Sequence, residues 1–524
     1  MELIKVKEWR LYHHSFFDFP SNIALSTVIW CLAYGSSFYS VITDQLIMYK
    51  YISLENDALN VLRLHSTDVG VSSTVKQFKF TIKSRKVVRS CNHYSEISAG
   101  AEGNFNANYS LEGALILIRH GDRGPLTHVH NISNVNCGGV YDPLYSSYEN
   151  FISNITGTPT LSQLIGTFHG IPVLPSSDCG LGLLTRIGAS QLLKTGKVLS
   201  DVYRHHLKIN ASLLRDEIKV FSTRYRRTFQ SGLAFLFSFL QKDLFPKVLV
   251  QESPSLAFCF DDCACPAADL FLRRAREERE LLIKSRPTFL NLVRSSSAIV
   301  YEVPDKKVSS DPHALKDALL TYICHNARFP CLDSKLPTTC VRPESVISLF
   351  NYLEWESQQM RVNVNMKKTC FLRAYGLLKN IVSYLLRIVS ERKPKIVLYS
   401  GHDKTISYLT MALGIRSNGV LTPFYSSRLI IEMYKTHDQL PDGGPVGSNY
   451  FFRIVFNGKD VTRELKFCKN AENSYHSSQG NQESNNTEKK FYLCPIESIV
   501  RFLHEDYFTI FNATNIKDAC AVPS

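Results

Sequence analysis

The stretch with the densest reactive chemistry is Arg119-His120-Gly121-Asp122-Arg123, which directly follows an apolar run, Gly113–Ile118. Charged side chains at the end of a buried strand cost free energy unless something pairs with them. Arginine stays protonated and matches anionic oxygens with two parallel hydrogen bonds, and a neutral imidazole can act as a nucleophile. The cluster is therefore either paired internally or built to bind an anionic ligand.

Two further segments repeat the order of strand, polar loop and helix. The run Ile218–Phe221 leads into a loop that contains Arg227, and the run Lys395–Ser400 leads into Gly401-His402-Asp403. In an open parallel sheet the carboxyl ends of the strands share one edge, where helix N-termini add anion-binding N–H groups. We therefore expect the loops to converge there. The residues expected to meet are Arg119, His120, Arg123, Arg227, His402 and Asp403.

Three guanidinium groups at one point repel one another unless an anion lies between them, so the pattern predicts a site for a dianion such as a phosphate monoester. Neighbouring positive charge lowers the pKa of an imidazole, which favours His120 as an unprotonated nucleophile. Asp403 is the available proton donor, and Asp122 is expected to pair with an arginine. No set of carboxylates and histidines has metal-ligand spacing, so neither a metal nor another cofactor is expected.

The segments "RHGDRGP", "STRYRRT" and "GHDKT" resemble the motifs of the histidine acid phosphatases, the branch of the phosphoglycerate-mutase-like superfamily that works through a phosphohistidine. The resemblance spans residues 111–524. It implies an α/β fold with an open sheet flanked by helices and a smaller, mostly helical cap domain. It also implies roles for six residues: His120 as nucleophile, Asp403 as proton donor, and Arg119, Arg123, Arg227 and His402 as phosphate ligands.

Within that family, "FSTRYRRTFQS" and the cysteine run "CFDDCACP" look most like the members that remove the 2-phosphate from xylose in the glycosaminoglycan–protein linkage region. Arg224 stands where the commoner family form has aspartate. This resemblance implies a lumenal Golgi enzyme that promotes glycosaminoglycan synthesis, with phosphorylated xylose as substrate and glycosaminoglycan-synthesising glycosyltransferases as partners. The alternatives are a general lumenal or secreted acid phosphatase for small esters or inositol phosphates, and a non-catalytic phosphate-binding lumenal protein.

The N-terminal region predicts a membrane anchor. Residues 19–43 lack charged side chains, which suits a bilayer span of about 20 residues. Lys5, Lys7 and Arg10 precede this stretch, so residues 1–18 are expected to be a cytosolic tail and the protein a type II, single-pass membrane protein. A cleaved signal peptide is the first alternative for this segment, and a buried core helix is the second.

Residues 44–110 are polar and weakly patterned, which predicts a stem, and residues 111–524 form the predicted catalytic domain. Within it, the low-complexity segment 470–490 predicts a flexible loop. The net charge of +13 is spread along the chain without a long basic block or a nucleic-acid-binding motif, so no nucleic-acid partner is expected.

Cysteines and glycosylation sequons favour an oxidising, lumenal location. Of 14 cysteines, Cys31 falls in the predicted anchor, which leaves an odd number beyond it and hence at least one unpaired thiol or intermolecular bond. The groups 259–265 and 324–340 predict local disulfides, with zinc as the alternative for the first group, and Cys468 and Cys494 could close the loop between them. The Asn-x-Ser/Thr sequons lie at Asn108, Asn131, Asn154, Asn210, Asn485 and Asn512.

Overall fold

A mixed β-sheet lies at the centre of the folded domain, which we describe from a computed structural model. The structure describes residues 82–103, 108–139, 142–209, 216–253, 264–303, 305–332, 339–416, 423–437, 447–468 and 492–521. The described strands are β1 (Tyr109–Arg119), β2 (Ile218–Ser222), β3 (Val250–Glu252), β4 (Cys331–Leu332), β5 (Thr339–Cys340), β6 (Ile396–Gly401), β7 (Arg428–Thr436), β8 (Tyr450–Phe456), β9 (Lys459–Asp460) and β10 (Cys494–Pro495).

Helices surround this sheet. The described α-helices are α1 (Ile82–Arg89), α2 (Pro143–Ile155), α3 (Pro159–Ile165), α4 (Arg186–Tyr203), α5 (Arg226–Phe239), α6 (Pro266–Lys284), α7 (Pro287–Val300), α8 (Pro312–Cys324), α9 (Pro343–Val362), α10 (Val364–Glu391), α11 (Asp403–Ala412), α12 (Ile496–Arg501) and α13 (Ile516–Cys520). Thr185 caps the N-terminus of α4, because its side chain accepts a hydrogen bond from the Gly188 N–H.

The strand order is β10-β8-β7-β1-β6-β2-β3, with β9 beside β8. Strands β1, β6, β2 and β3 run parallel, whereas β7 pairs with β1 and with β8 in the antiparallel sense. The predicted parallel arrangement thus holds for the half of the sheet that carries the motif loops. The other half is antiparallel because β7 and β8 form consecutive strands that need no crossover helix.

The apolar residues of the parallel strands alternate between the two faces of the sheet. Leu115, Leu117 and Val397 pack on one face with α10 and α11, whereas Ile116 and Ile118 pack on the other with α4 and α5. These strands are apolar on both faces because helices cover both sides, as expected for parallel strands. A third hydrophobic cluster joins α7, α8 and α9 and forms the core of a mostly helical cap.

Residues 82–103, which the sequence predicts as part of a stem, pack against the domain that contains the central sheet. These residues belong to the same compact unit as the sheet, and a disulfide joins Cys91 to Cys324 at the end of α8. Glu102 is buried and forms an ion pair with Arg428 of β7, whose guanidinium also donates to the Ser98 carbonyl. Contacts between residues so far apart in sequence leave no local pattern. The polar composition of this segment therefore suggested a stem, although the segment packs against the domain.

The disulfides are partly local and partly long-range. Cys331–Cys340 and Cys468–Cys494 pair locally as predicted. The prediction was wrong for Cys324 and Cys265, which pair with Cys91 and Cys520, because the fold brings residues from distant segments together. A further bond joins Cys137 to Cys179, and Cys370 is buried and free within the described residues.

Several predictions fall on residues outside the described ranges. They include the anchor at 19–43, the flexible loop at 470–490, and Cys259 and Cys263 of the alternative zinc site. Among the residues that are described, no helix has both the length and the apolar character needed to cross a membrane.

Candidate active site

The three motif loops meet at the carboxyl edge of adjacent strands β1, β6 and β2. Arg119 at the end of β1 is in register with Gly401 of β6, and Ser222 of β2 is in register with Ser400. The His120 N–H donates to the Gly401 carbonyl over 3.0 Å, which continues the β1–β6 pairing into the loops. Strand order therefore brings together loops that are about a hundred residues or more apart in sequence.

His120 is buried and held in one tautomer. Its Nδ1 lies 2.8 Å from the Gly121 carbonyl oxygen, which can only accept, so Nδ1 carries the proton and Nε2 keeps its lone pair. Burial, followed by the charges of Arg119 and Arg227, holds the pKa of His120 well below its ordinary value of 6.5. His120 is therefore neutral near pH 7, with a free ring nitrogen that can attack an electrophile.

The loop after His120 runs unusually close to the N-terminus of α4. A Cβ at Gly121 would lie 2.1 Å from the Gly188 carbonyl oxygen, a distance that no side chain tolerates. Glycine at both positions lets the two backbones touch. The Gly121 N–H also donates to the Ser231 hydroxyl of α5, so the loop is fixed from two helices.

His402 lies across the site from His120, with 5.6 Å between the ring centroids. Its Nε2 is 3.0 Å from the Thr223 hydroxyl, and its backbone N–H donates to Thr405 in the first turn of α11. Burial, followed by the charge of Arg227, lowers the pKa of His402 to about 3, which makes it a neutral hydrogen-bonding group. Thr223 is a positioning residue that charge-based sequence reasoning missed, although it belongs to the Ser222-Thr223 pair that opens the second motif.

Arg119 and Arg227 line the site in different surroundings. The Arg119 guanidinium lies 4.4 Å from the Tyr425 ring centroid, donates to the Pro423 carbonyl over 2.5 Å, and is 3.4 Å from an Asp403 carboxylate oxygen. Arg227 lies over the Tyr225 ring and makes no salt bridge with a described carboxylate. Burial, and then repulsion from Arg123, lower its pKa to about 10. An anion would relieve that repulsion.

Asp403 begins α11 and faces the arginines, with about 30% of its side chain exposed. Burial by itself would raise the pKa of its carboxyl, but Arg119 and Arg123 outweigh that effect and lower it to about 2. Without an anion in the site Asp403 is therefore a carboxylate. A bound dianion would neutralise the same arginines and raise its pKa, which is the direction a proton donor needs.

The prediction that Asp122 pairs with an arginine was wrong. Its Oδ2 accepts a hydrogen bond from the Thr185 hydroxyl over 2.7 Å and lies 2.7 Å from Nε2 of His325, and both side chains of the Asp122–His325 pair are buried. The physical reason is direction: Asp122 points toward α4 and the cap, whereas the arginines on either side of it face the site. His325 lies outside every motif, so its sequence context held no indication of this contact.

Arg123 forms the site's one bidentate carboxylate pair among the described residues. Its Nη2 and Nη1 donate to the two Asp317 oxygens over 2.7 and 3.1 Å. Asp317 lies in α8 of the cap, next to the half-buried Lys316, whose pKa falls to about 8 through burial and, next, the Arg119 charge. Sequence reasoning missed both residues, because "LKDALL" looks like the polar face of an ordinary amphipathic helix.

All six predicted site residues thus lie around one point, with three contributed by the β1 loop and the others by the β2 and β6 loops. The Nε atoms of Arg119, Arg123 and Arg227 are buried without a hydrogen-bond partner. Within the described part of the chain no cluster of three or more histidine, cysteine or acidic residues has the arrangement of a metal site. The arrangement offers a nucleophile, an anion-binding cradle and a nearby carboxyl group.

Comparison with known proteins supports this chemistry. Residues 110–294 match the model of the histidine phosphatase superfamily, branch 2. The chain is 29% identical over 440 residues to 2-phosphoxylose phosphatase 1 of Xenopus tropicalis, covering 82% of this chain and 81% of that protein. It is 28% identical to the Homo sapiens protein of the same name, covering 82% and 85%.

More distant similarities concern other phosphatases. The chain is 26% identical over 290 residues to prostatic acid phosphatase of Rattus norvegicus, covering 52% of this chain and 71% of that one. The apo form of Hafnia alvei phytase superposes with a TM-score of 0.45 and 14% identity, over 80% of this chain and 100% of the phytase. The chain is thus similar to branch 2 of the histidine phosphatase superfamily over residues 110–294, which include the first two motif loops, and to the 2-phosphoxylose phosphatases over 82% of its length.

Proposed function

We propose that this phosphatase removes the 2-phosphate from xylose in the glycosaminoglycan–protein linkage region, through a phosphohistidine on His120. The observation that carries the chemistry is the buried, neutral His120 with a free Nε2 among three arginines. Support for the substrate comes from the relatives named 2-phosphoxylose phosphatase 1, which match over 82% of the chain.

In the first chemical step, Nε2 of His120 attacks phosphorus and forms a P–N bond while the ester P–O bond breaks. The departing alkoxide takes a proton from Asp403, so the products are phosphohistidine and the free sugar hydroxyl. Arg119, Arg123 and Arg227 neutralise the phosphoryl oxygens, and the neutral His402 donates or accepts one further hydrogen bond. Such electrostatic stabilisation supplies most of the rate enhancement in phosphoryl transfer.

In the second step, water attacks the same phosphorus, the P–N bond breaks and the Asp403 carboxylate takes the water's proton. Inorganic phosphate leaves, and Nε2 of His120 regains its lone pair. Asp403 ends this step protonated and is ready to act as an acid again, so one carboxyl group serves both steps. Asp403 is a carboxylate at the start of this step because it gave its proton to the alkoxide in the first step.

The rim of the site suits an organic leaving group with an apolar face. Tyr225, Leu126 and Leu181 are 46%, 54% and 45% exposed. Tyr225 stacks on Arg227, and a Cβ at Gly182 would lie 3.4 Å from Leu126 and 3.7 Å from Arg227, so Tyr225 and Leu126 both lie close to this arginine. A pyranose presents C–H groups on its ring faces, which pack on aromatic and aliphatic side chains.

We further propose that the protein is a type II membrane protein of the Golgi, with its catalytic domain in the lumen near glycosaminoglycan-synthesising glycosyltransferases. The uncharged segment 19–43 and the basic residues before it support the orientation. The disulfides support an oxidising compartment. The described sequon asparagines, which are Asn108, Asn131, Asn154 and Asn512, are all exposed and accessible to glycosylation.

The experiment is phosphate release by the purified chain from a linkage glycan that carries 2-phosphoxylose. We expect wild-type protein to release phosphate and His120→Ala to lose about 10⁴-fold or more of that rate, since removing a nucleophile has effects of this size. The exposed His128 on the same loop supplies the matched control, and His128→Ala should keep wild-type activity.

Each other outcome excludes a specific part of the proposal. Turnover of an aryl phosphate without turnover of the glycan would leave a general acid phosphatase, the activity to which the prostatic acid phosphatase similarity points. Phosphate binding without any turnover would leave a non-catalytic lumenal protein. Equal activity in wild type and His120→Ala would exclude His120 as the nucleophile.

A further inference from the structure

The loop that follows β1 and carries His120 is called the catalytic loop here. Helix α8 of the cap and the residue after it contact two successive residues of this loop, Asp122 and Arg123, which have opposite charges. Asp317 accepts two hydrogen bonds from Arg123, and His325, one residue beyond the end of α8, lies 2.7 Å from Asp122. The acidic residue of the loop thus meets a histidine and the basic residue meets a carboxylate. Two such contacts fix both the position and the rotation of the loop relative to the helix.

The helix that makes these contacts is itself firmly held. Cys324 at its end is disulfide-bonded to Cys91, and the Tyr322 hydroxyl donates to the His130 carbonyl further along the catalytic loop. Leu315 and Leu319 of α8 are buried in the hydrophobic cluster of the cap. Asp317 is therefore presented from a rigid element, which is what precise positioning of another side chain requires.

The ion pair between Arg123 and Asp317 leaves one edge of the Arg123 guanidinium available to a ligand. Nη1 donates to the Gly124 carbonyl and to Asp317, and Nη2 uses one hydrogen for the other Asp317 oxygen. Of the five N–H groups, those remaining are Nε–H and the second N–H of Nη2, which lie along the same edge. Nε is buried without a hydrogen-bond partner. Two parallel N–H groups form the fork that binds two phosphate oxygens.

We propose that α8 is a positioning element of the phosphate site, in which the Asp317 carboxylate occupies one edge of the Arg123 guanidinium and turns the other edge toward the phosphoryl group. The inference rests on the proposed phosphatase function. Asp317 is a positioning residue, because it acts through Arg123. Its negative charge weakens anion binding, and in return it fixes the orientation of the fork that stabilises the transferring phosphoryl group.

This role predicts opposite changes in binding and turnover. Asp317→Asn keeps the size of the side chain but removes its charge and one acceptor oxygen. The site then has more positive charge, so inorganic phosphate should bind about 3-fold or more tightly. The fork loses its fixed orientation, so kcat for a phosphomonoester should fall about 10-fold or more. A purely structural role would instead weaken phosphate binding and turnover together.

The test measures phosphate affinity by calorimetry and kcat with an aryl phosphate, for the full chain. Asp269→Asn is the matched control, because Asp269 pairs with the buried Arg373 away from the site, and we expect both quantities unchanged in it. Asp317→Glu, which restores charge and both oxygens, should return phosphate affinity to within about twofold of wild type. Unchanged kcat in Asp317→Asn, or weaker phosphate binding in step with lower kcat, would overturn the proposal.

The calorimetric arm separates this inference from the proposed function. If the wild type binds phosphate but hydrolyses no ester, the proposed function fails, whereas the affinities of wild type and Asp317→Asn still decide the charge effect of Asp317. If Asp317→Asn does not fold, Arg123→Lys replaces it, because lysine keeps the charge but cannot form a fork. We then expect about 10-fold weaker phosphate binding, and wild-type affinity in this variant would reject the fork.

Discussion

The fold contains two clusters of buried charge that differ in how they are balanced. At the antiparallel side of the sheet, Glu102, Arg428, Glu432 and Arg453 form a quartet of two carboxylates and two guanidinium groups. Glu432 also accepts hydrogen bonds from the Tyr203 and Tyr434 hydroxyls and from the Gly103 N–H. At the carboxyl edge, three arginines and Lys316 face the carboxylates of Asp317 and Asp403.

The difference separates a structural use of buried charge from a functional one. In the quartet each charge has an opposite charge, and additional donors satisfy the remaining lone pairs, so the cluster holds residues 98–103 against the sheet. In the site positive charge exceeds negative charge, and arginine Nε atoms stay without partners. An excess of buried charge destabilises the folded protein but becomes favourable when an anion binds.

The largest expected effect is the loss of activity when an uncompensated arginine is removed. Arg227→Ala should lower kcat/KM about 10⁴-fold, the effect of removing an arginine that stabilises phosphoryl transfer. Its unfolding free energy should not fall and should rise by up to about 1 kcal/mol, because repulsion from Arg123 is relieved. Hydrolysis rates and urea unfolding measure the two quantities.

Arg224→Ala is the matched control for that comparison, because Arg224 lies on the same loop, is exposed and contacts only Glu252 among its described ion pairs. It should change neither kcat/KM nor stability appreciably. A destabilised Arg227→Ala protein would mean that the site arginines are balanced internally, which would remove the distinction between the two clusters.

Removing a charge from the quartet should have the reverse effect, which is a loss of stability without a loss of activity. Glu432→Gln leaves the Arg453 guanidinium without its buried counter-ion, so the unfolding free energy should fall by about 3–5 kcal/mol. Folded protein should keep kcat within about twofold of wild type, because the quartet lies outside the site. Urea unfolding and the rate per folded molecule are the measurements.

Asp201→Asn offers a comparison with an exposed ion pair, since Asp201 and Lys197 are more than half exposed. Its effect on the unfolding free energy should stay below about 1 kcal/mol. A similar, small loss in Glu432→Gln would show that the quartet adds little to stability.

The smallest expected effect depends on pH and concerns His325. Although burial alone would lower the pKa of His325, Asp122 and the Asn136 carbonyl outweigh it and raise the pKa above 6.5. Both acceptors favour the doubly protonated ring, so the imidazolium stabilises the folded state. This stabilisation is full below the unfolded pKa of 6.5 and is lost as pH rises through the higher folded value.

His325→Asn should therefore lower the unfolding free energy by about 1–3 kcal/mol at pH 5.5 and by less at pH 8.5. Urea unfolding of wild type and variant at both pH values gives the difference. His437→Asn, at an exposed histidine, should show no such pH-dependent loss. A loss that grew with pH would mean that His325 is neutral in the fold.

Much of the fold and the site could be predicted from the sequence because their determinants are local. Apolar runs predicted the strands β1, β2 and β6. The ends of these strands and the polar loops that follow them contain all six predicted site residues. The resemblance of those loops to a known family supplied roles that spacing alone does not assign. Contacts between distant segments were beyond such reasoning: Asp317 and His325 sit in unremarkable helical and loop sequence, and Cys265 pairs with Cys520 across 255 positions.

By itself, the sequence determined the local chemistry: which residues carry reactive groups, and that each group follows a strand. The tertiary structure decided which charges are compensated. Asp122, flanked by arginines in sequence, turns to His325, whereas Asp317, nearly two hundred positions away, turns to Arg123. The physical reason is that ion pairing depends on distance and direction in space, which strand order and the placement of α8 set, and not on separation along the chain.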